Sequence, residues 1–340
     1  MKHWQETAEI LSQLTAEAEA GRRAAVATVI RIHGSAYRRP GAKLFVRADG
    51  AMSGSVSGGC LEADVRENAL RVLRDGAPRL LHYDTASDDR APFGLGLGCN
   101  GSVDLFVQPA TTPAFLDSAR RVRAALGGEE PITISTALEG RSAGDVRVST
   151  PGGALETGIH EQAQGGRVFT EVLRPPPHLV LFGAGDDAIP LARHAREAGF
   201  RVAVVDHRPA FLSPARFPGE VRRLELRPED DAADSALPLR GEAYAVVKAH
   251  SLAIDREWIR RLLGTRIAYI GVLGPRARVE EILRQLGAAG DDRIFGPVGL
   301  DLGAEGPEQV ALSVVAELLA FRSRRSPRHL REREGSIHGA

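Results

Sequence analysis

HLVLFGAGDDAIPLA, residues 178–192, decides the fold of half of this chain. An apolar run ends in Gly183-Ala184-Gly185-Asp186-Asp187-Ala188 and passes into a segment with apolar residues at helical spacing. A strand, a glycine turn and a helix in that order give a GxGxxG/A match structural meaning. In such a unit Gly183 allows the tight turn, Gly185 lets backbone approach a pyrophosphate, and Ala188 permits close helix–strand packing. The helix N-terminus then offers N–H groups to an anion. Asp206 closes the next apolar run, about 20 positions on, where a carboxylate can accept hydrogen bonds from a ribose diol. Asp186 and Asp187 work against a pyrophosphate at the mouth of this turn, although acidic residues also suit the first turn of any helix.

Downstream the pattern repeats. RVAVVDH (201–207), AYAVVKA (243–249) and AYIGVLG (268–274) alternate with helical segments at 188–198, 253–263, 275–287 and 307–322. That alternation predicts a Rossmann-like parallel sheet with helices on both faces. Upstream, Arg174-Pro175-Pro176-Pro177 removes three backbone donors and favours extended geometry, so neither helix nor central strand continues through it. The expected organisation is an N-terminal α+β domain over 1–173, a linker at 174–177, the Rossmann-like domain over 178–322 and a polar tail over 323–340. Within 1–173, helices are expected at 3–20, 61–73 and 113–126, and strands at 24–32, 43–50, 79–85, 102–109 and 131–138.

A length of 340 residues with 43% hydrophobic and 26% charged residues is enough for two cores that fold without disulfides or a structural metal. Lysine and arginine together number 44, as do aspartate and glutamate, so no global field recruits nucleic acid or an anionic membrane. The N-terminal MKHWQETAEILSQL is polar and amphipathic, unlike a signal peptide, and no apolar run is long enough to span a bilayer. The expectation is a cytoplasmic protein. Cys60 and Cys99 are the only cysteines, too few for a disulfide framework and without the spacing of a zinc site.

Both cysteines sit in glycine-rich segments. GSVSGGCLE (54–62) and GLGLGCNG (94–101), with HGSAYRRPG (33–41), interleave glycine with serine, arginine and sulfur. Glycine clusters bring backbone N–H groups close to a ligand without a Cβ in the way. Ser55, Ser57, Gly58 and Gly59 supply donors or room for them, Arg38 and Arg39 can pair with phosphate, and a cysteine just before a helix stands where thiolate is favoured. The mixture suits an anionic, sulfur-bearing or phosphorylated ligand. For each residue a plainer role competes: a turn cap for the serines, a solvated loop for the arginines, first-turn helix stabilisation for Glu62, small-residue packing for the cysteines.

These segments resemble the XdhC/CoxI family, accessory factors of molybdenum hydroxylases such as xanthine dehydrogenase. GSVSGGCLE and GLGCNG are similar to that family's SGGC and GLGC signatures. PHLVLFGAGDDAIPLA, VVDHRPAFLSPARFP, YIGVLGPRAR and GPVGLDLGAEGPEQVALSVVAELLA are similar to its C-terminal region. The resemblance implies a chaperone rather than a turnover enzyme. Such a protein binds molybdenum cofactor, a phosphate-bearing pterin dithiolene sometimes extended by a nucleotide, supports its sulfuration and delivers it to the hydroxylase. It implies Cys60 and Cys99 as contacts to the cofactor's molybdenum, and a hydroxylase and a cysteine desulfurase as partners; a homodimer is expected only because such assemblies are common. Two departures stand out: Asn100 replaces an expected glycine, and Lys248-Ala249-His250-Ser251 keeps a histidine but changes its neighbours. His250, at the end of a predicted strand, lies where open α/β sheets bind ligands; Asp301 is a weaker candidate for the same cleft, and His33 reads as a surface histidine. The competing readings are an NAD(P)-dependent oxidoreductase built on Gly183, Gly185 and Asp206, and a cofactor-free scaffold for desulfurase and hydroxylase.

Overall fold

The prolines at 175–177 mark a division into two units, residues 1–175 and 176–333. In this computed structural model the described residues are 2–34, 37–84, 101–150, 156–162, 165–239 and 242–334. Cys99 and Asn100, with most of the GLGLGCNG segment, lie outside them.

The first unit runs α1 (Lys2–Glu19), β1 (Ala24–Gly34), β2 (Lys43–Arg47), β3 (Met52–Gly54), α2 (Glu62–Asp75), β4 (Arg79–Asp84), β5 (Gly101–Pro109), α3 (Pro113–Leu126), β6 (Ile132–Ala137), β7 (Val146–Ser149), β8 (Gly158–Glu161) and β9 (Arg167–Leu173). Two antiparallel sheets result, with strand orders β3-β2-β1-β5-β4 and β7-β6-β9-β8. Strand side chains alternate between faces, and here both faces of the larger sheet are buried. Ala25, Ala27, Val29, Leu44, Val46, Leu105 and Val107 pack under Val65, Ala69, Val72 and Leu73 of α2. On the opposite face Ala24, Val26 and Phe45 meet Trp4, Ile10, Leu11 and Leu14 of α1, Ala119 and Val122 of α3, and Ile132, Ile134 and Leu173 of the smaller sheet. A buried ion pair ties the sheets together: Lys43 Nζ of β2 donates to both oxygens of Glu171 on β9 at 2.7 Å, and to the Gly41 carbonyl at 2.9 Å. The cavity beside it, about 60 Å³, has room for water but not for a pterin.

The second unit runs β10 (His178–Phe182), α4 (Ala188–Glu197), β11 (Arg201–Asp206), β12 (Arg222–Glu225), α5 (Ala233–Ala236), β13 (Ala243–Val247), α6 (Leu252–Leu263), β14 (Tyr269–Val272), α7 (Arg276–Leu286), β15 (Ile294–Phe295) and α8 (Gly306–Arg322). Its sheet has the order β12-β11-β10-β13-β14-β15, and every pairing is parallel. This is the doubly wound dinucleotide-binding order, which reverses between β10 and β13. Leu179, Leu181, Val202, Val204, Tyr244 and Val246 face α4 and α8, while Val180, Phe182, Ala203, Val205, Ala245 and Val247 face α6 and α7. The Rossmann-like sheet with helices on both faces, after an N-terminal α+β region, is therefore as the sequence predicts. The sequence pattern predicts no element in 139–173, where β7, β8 and β9 form. β7 and β8 are short, polar edge strands (VRVS, GIHE) whose pattern carries little signal.

Candidate functional site

Two candidate centres emerge, one in each unit. In the first, the chain leaves β3 and makes the turn 55–61 before α2. Gly58 and Gly59 have φ of 93° and 123°, so successive backbone N–H groups converge on one point. That point is occupied by the carboxylate of Glu62. It accepts from the N–H groups of Val56 at 3.1 Å, Ser57 at 3.0 Å, Gly58 at 3.2 Å, Gly59 at 2.9 Å and Leu61 at 3.2 Å. It also accepts from Ser55 Oγ at 2.9 Å and from Ser57 Oγ. Burial alone would raise the Glu62 carboxyl, but hydrogen bonds from Ser57 and Ser55 overcome it and hold the group at about 2. The loop is thus an anion nest filled from within. Ser55 and Ser57, and the N–H groups of Gly58 and Gly59, all serve Glu62.

Cys60 rides on the outside of this turn as an exposed free thiol. Arg38, expected as a phosphate partner, is buried, and its guanidinium donates to both oxygens of Glu6 on α1 at 2.5 Å. Arg39, next to it, is exposed. Tyr37, 70% exposed, lies over the loop: a Cβ at Gly58 would fall 2.8 Å from its ring.

In the second unit Gly183 turns the chain out of β10 with φ of 116°, and a Cβ there would lie 2.5 Å from the Lys248 carbonyl oxygen after β13. Only glycine fits this crossing. The acidic residues around the turn are each paired. Asp186 accepts from Arg216 at 2.8 Å, and Asp187 Oδ1 from Lys248 Nζ at 2.6 Å. Asp206 is buried and saturated: Oδ2 accepts from Ala184 N at 2.8 Å and Arg208 Nη2 at 2.9 Å, and Oδ1 from Arg208 N and Nε at 2.9 Å. Burial opposes ionisation of Asp206, yet the Arg208 and Ala184 donors lower its carboxyl to about 2. The carboxylate at the ribose position therefore already braces the glycine turn and Arg208. The Arg208 guanidinium also lies 3.9 Å from the centre of the Phe211 ring, with Arg216 at 5.0 Å from the same ring.

Lys248 follows β13 with its side chain 1% exposed. Burial pushes its ammonium down, and the contact with Asp187 works against that. His250 Nε2 lies 3.1 Å from the other Asp187 oxygen, and its backbone is left-handed with φ of 58°. Gly183, Gly185 and His250 thus gather at the reversal of strand order, with Asp206 at the adjacent end of β11. Asp301 is exposed in the loop before α8. Sequence reasoning missed Glu62 as the occupant of its own loop, and missed the cations of Lys248, Arg208 and Arg216. The one available signal was Lys248, a charge closing the apolar run AYAVV. Among the described residues no group of three or more His, Cys, Asp or Glu is placed to hold a metal ion. No described helix is long and apolar enough to cross a membrane.

Comparison with known proteins places this architecture. The model of the XdhC Rossmann domain matches residues 179–318, and that of the XdhC and CoxI family matches residues 17–84. A Bacillus subtilis protein named as a probable xanthine dehydrogenase subunit is 32% identical over 314 residues, covering 88% of this chain and 94% of the relative. The molybdenum cofactor insertion chaperone PaoD of Escherichia coli is 26% identical over 311 residues, covering 89% and 84%. A crystal structure described as a xanthine dehydrogenase from Bacillus halodurans superposes with a TM-score of 0.77 at 29% identity, over 94% of this chain and 98% of that one. With both units matched in order and the likeness extending over nearly the full length, the chain belongs to the XdhC and CoxI family.

Proposed function

We infer that this protein is a maturation factor that binds molybdenum cofactor as cargo, shelters it while its terminal sulfur is installed, and passes it to a hydroxylase of the xanthine dehydrogenase type. The observation that carries this reading is the exposed thiol of Cys60, displayed on a turn that an internal carboxylate holds rigid. A soft sulfur ligand on a preformed loop suits capture of a thiolate-loving metal centre, and it releases cargo more readily than a closed multidentate site. The relatives named for xanthine dehydrogenase and for cofactor insertion support the same reading. The turn at 183–188 is read as a site for the phosphate or nucleotide portion of such a cofactor. A cysteine desulfurase is the chemical class of partner that would supply the sulfur.

The dinucleotide-oxidoreductase reading is weaker at Asp206, whose two oxygens are engaged by Ala184 and Arg208 rather than open to a ribose diol. The test is retention of cofactor. Wild-type protein mixed with freshly released molybdenum cofactor and passed through a desalting column should carry pterin, detected by fluorescence after oxidation, and Cys60→Ser should lose most of it. Wild-type protein that retains no pterin at micromolar concentration would refute the function.

A further inference from the structure

α8 (Gly306–Arg322) is apolar almost all the way round, the composition of a helix enclosed on every side. One side is enclosed: Ala311, Val314, Val315 and Leu318 lie in the apolar cluster with Leu179 and Leu181 of β10 and Leu191 of α4. Leu312 and Leu319 are not, at 52% and 40% exposed. At about 3.6 residues per turn, Glu308, Leu312, Ala316, Leu319 and the C-cap Ser323 fall within an arc of about 80° around the helix axis. Glu308 and Ser323 are exposed and Ala316 is half-buried, so the arc is one continuous outward stripe.

The two ends of the stripe carry opposite charge. Glu308 stands in the first turn of α8, and Arg324 follows its last residue. The other charges of the helix are engaged: Arg322 donates to Glu242 at 2.9 Å, and Glu317 accepts from Tyr269. Glu308 and Arg324 are exposed and form no ion pair among the described residues. In chain order the stripe reads acid, leucine, alanine, leucine, base. Reversed, with its charges exchanged, it reads the same. It is therefore complementary to a second copy of itself laid antiparallel, the condition for a two-fold interface. With the axis midway between Leu312 and Leu319, each Leu312 faces the partner's Leu319. Ala316 lies beside the axis, where a small side chain lets the helices approach to about 8–10 Å. Glu308 comes within one helical turn of the partner's Arg324, and the helix dipoles oppose. A parallel pair would instead set acid against acid and base against base.

We propose that the outward stripe of α8 is a self-association surface, on which a second copy of this chain docks as an antiparallel helix pair. Leu312 and Leu319 form its apolar seam, and Glu308 with the partner's Arg324 closes each end and sets the direction. One helix pair is a small interface, under the roughly 800 Å² per partner of a standard one. The dimer is accordingly a reversible one, with a dissociation constant on the order of 10 μM. The proposal does not depend on the cofactor reading.

The experiment is sedimentation velocity on the full-length protein, without cofactor, from about 1 to about 300 μM. Wild type should pass from monomer to dimer across that range. Leu312→Asp puts a charge into the seam twice per dimer and should weaken association by at least about a hundredfold, as should Leu319→Asp. Both side chains are exposed, so the thermal midpoint of each variant should match wild type. Glu308→Arg and Arg324→Glu, each alone, set like charges together and should weaken the dimer by about three- to tenfold. The double variant Glu308→Arg, Arg324→Glu exchanges the charges and should restore it, an outcome that only the antiparallel pair gives. A protein that stays monomeric throughout, a Leu312→Asp variant that dimerises as well as wild type, or a charge exchange without recovery would overturn the proposal. Because no cofactor enters the assay, none of these outcomes bears on cofactor binding.

Discussion

Replacing Glu62 by Gln tests whether the cysteine loop is built around an internal anion. The substitution keeps the side chain's size but removes the charge, and points an NH2 group at donors that need an acceptor. In the native loop five backbone N–H groups and two serine hydroxyls converge on this carboxylate. A fall from the ordinary 4.5 to about 2 corresponds to about 3 kcal/mol in favour of the ionised form. Glu62 is only partly buried, so solvent screening leaves about 1–2 kcal/mol of net stability. The sign follows from linkage. A depressed carboxyl stabilises the fold fully above its unfolded value near 4.5 and loses that contribution as pH falls toward 2. Thermal unfolding of the first unit at pH 7 should therefore drop by roughly 2–8 °C in Glu62→Gln. The gap between wild type and variant should close as pH falls from 4.5 to 2. Cys60 should also be alkylated faster in the variant, because the turn that carries it is loosened. Equal melting temperatures at pH 7, or a gap that does not change with pH, would refute the idea that Glu62 holds this loop by its charge.

Other consequences concern the frame of each unit. Glu171→Gln strands the Lys43 ammonium in the first unit's core and should cost about 3–5 kcal/mol in urea unfolding, whereas the double variant Lys43→Met, Glu171→Leu should recover most of that loss; a single variant as stable as wild type would contradict the buried pair. Gly183→Ala forces a Cβ to within 2.5 Å of the Lys248 carbonyl at φ of 116° and should destabilise the second unit by at least about 1–3 kcal/mol, read as a lower unfolding midpoint of that unit with the first unchanged.

The doubly wound sheet was legible because its information is local and periodic. Short apolar runs separated by amphipathic helices, with a glycine turn after the first run, leave few other ways to bury the strands. At 175–177 the signal is equally local, since consecutive prolines remove the backbone donors that either regular structure would use. Of the smaller sheet in the first unit, only β6 was legible, as the apolar run at 131–138. Its edge strands β7 and β8 are short and polar, and they are held by pairing with β6 and β9 rather than by any apolar pattern of their own.

Residue identity and spacing alone single out the candidate segments: the turn carrying Cys60, the 183–188 turn, Asp206 at a strand end and His250 after another. What each side chain does there was decided by tertiary neighbours. Glu62 has the position of an ordinary first-turn acid, and only the turn's folding back onto its carboxylate makes it the centre of the nest. Arg38 has the look of a phosphate ligand, and only the packing of α1 supplies Glu6 to claim it. Asp187 reads as a charge hostile to anions until β13 delivers Lys248 beneath it. Ionic and hydrogen-bonding partners that come from distant parts of the chain leave no periodic trace, so the sequence could mark where chemistry is concentrated, while the fold determined which charges remain available to a ligand.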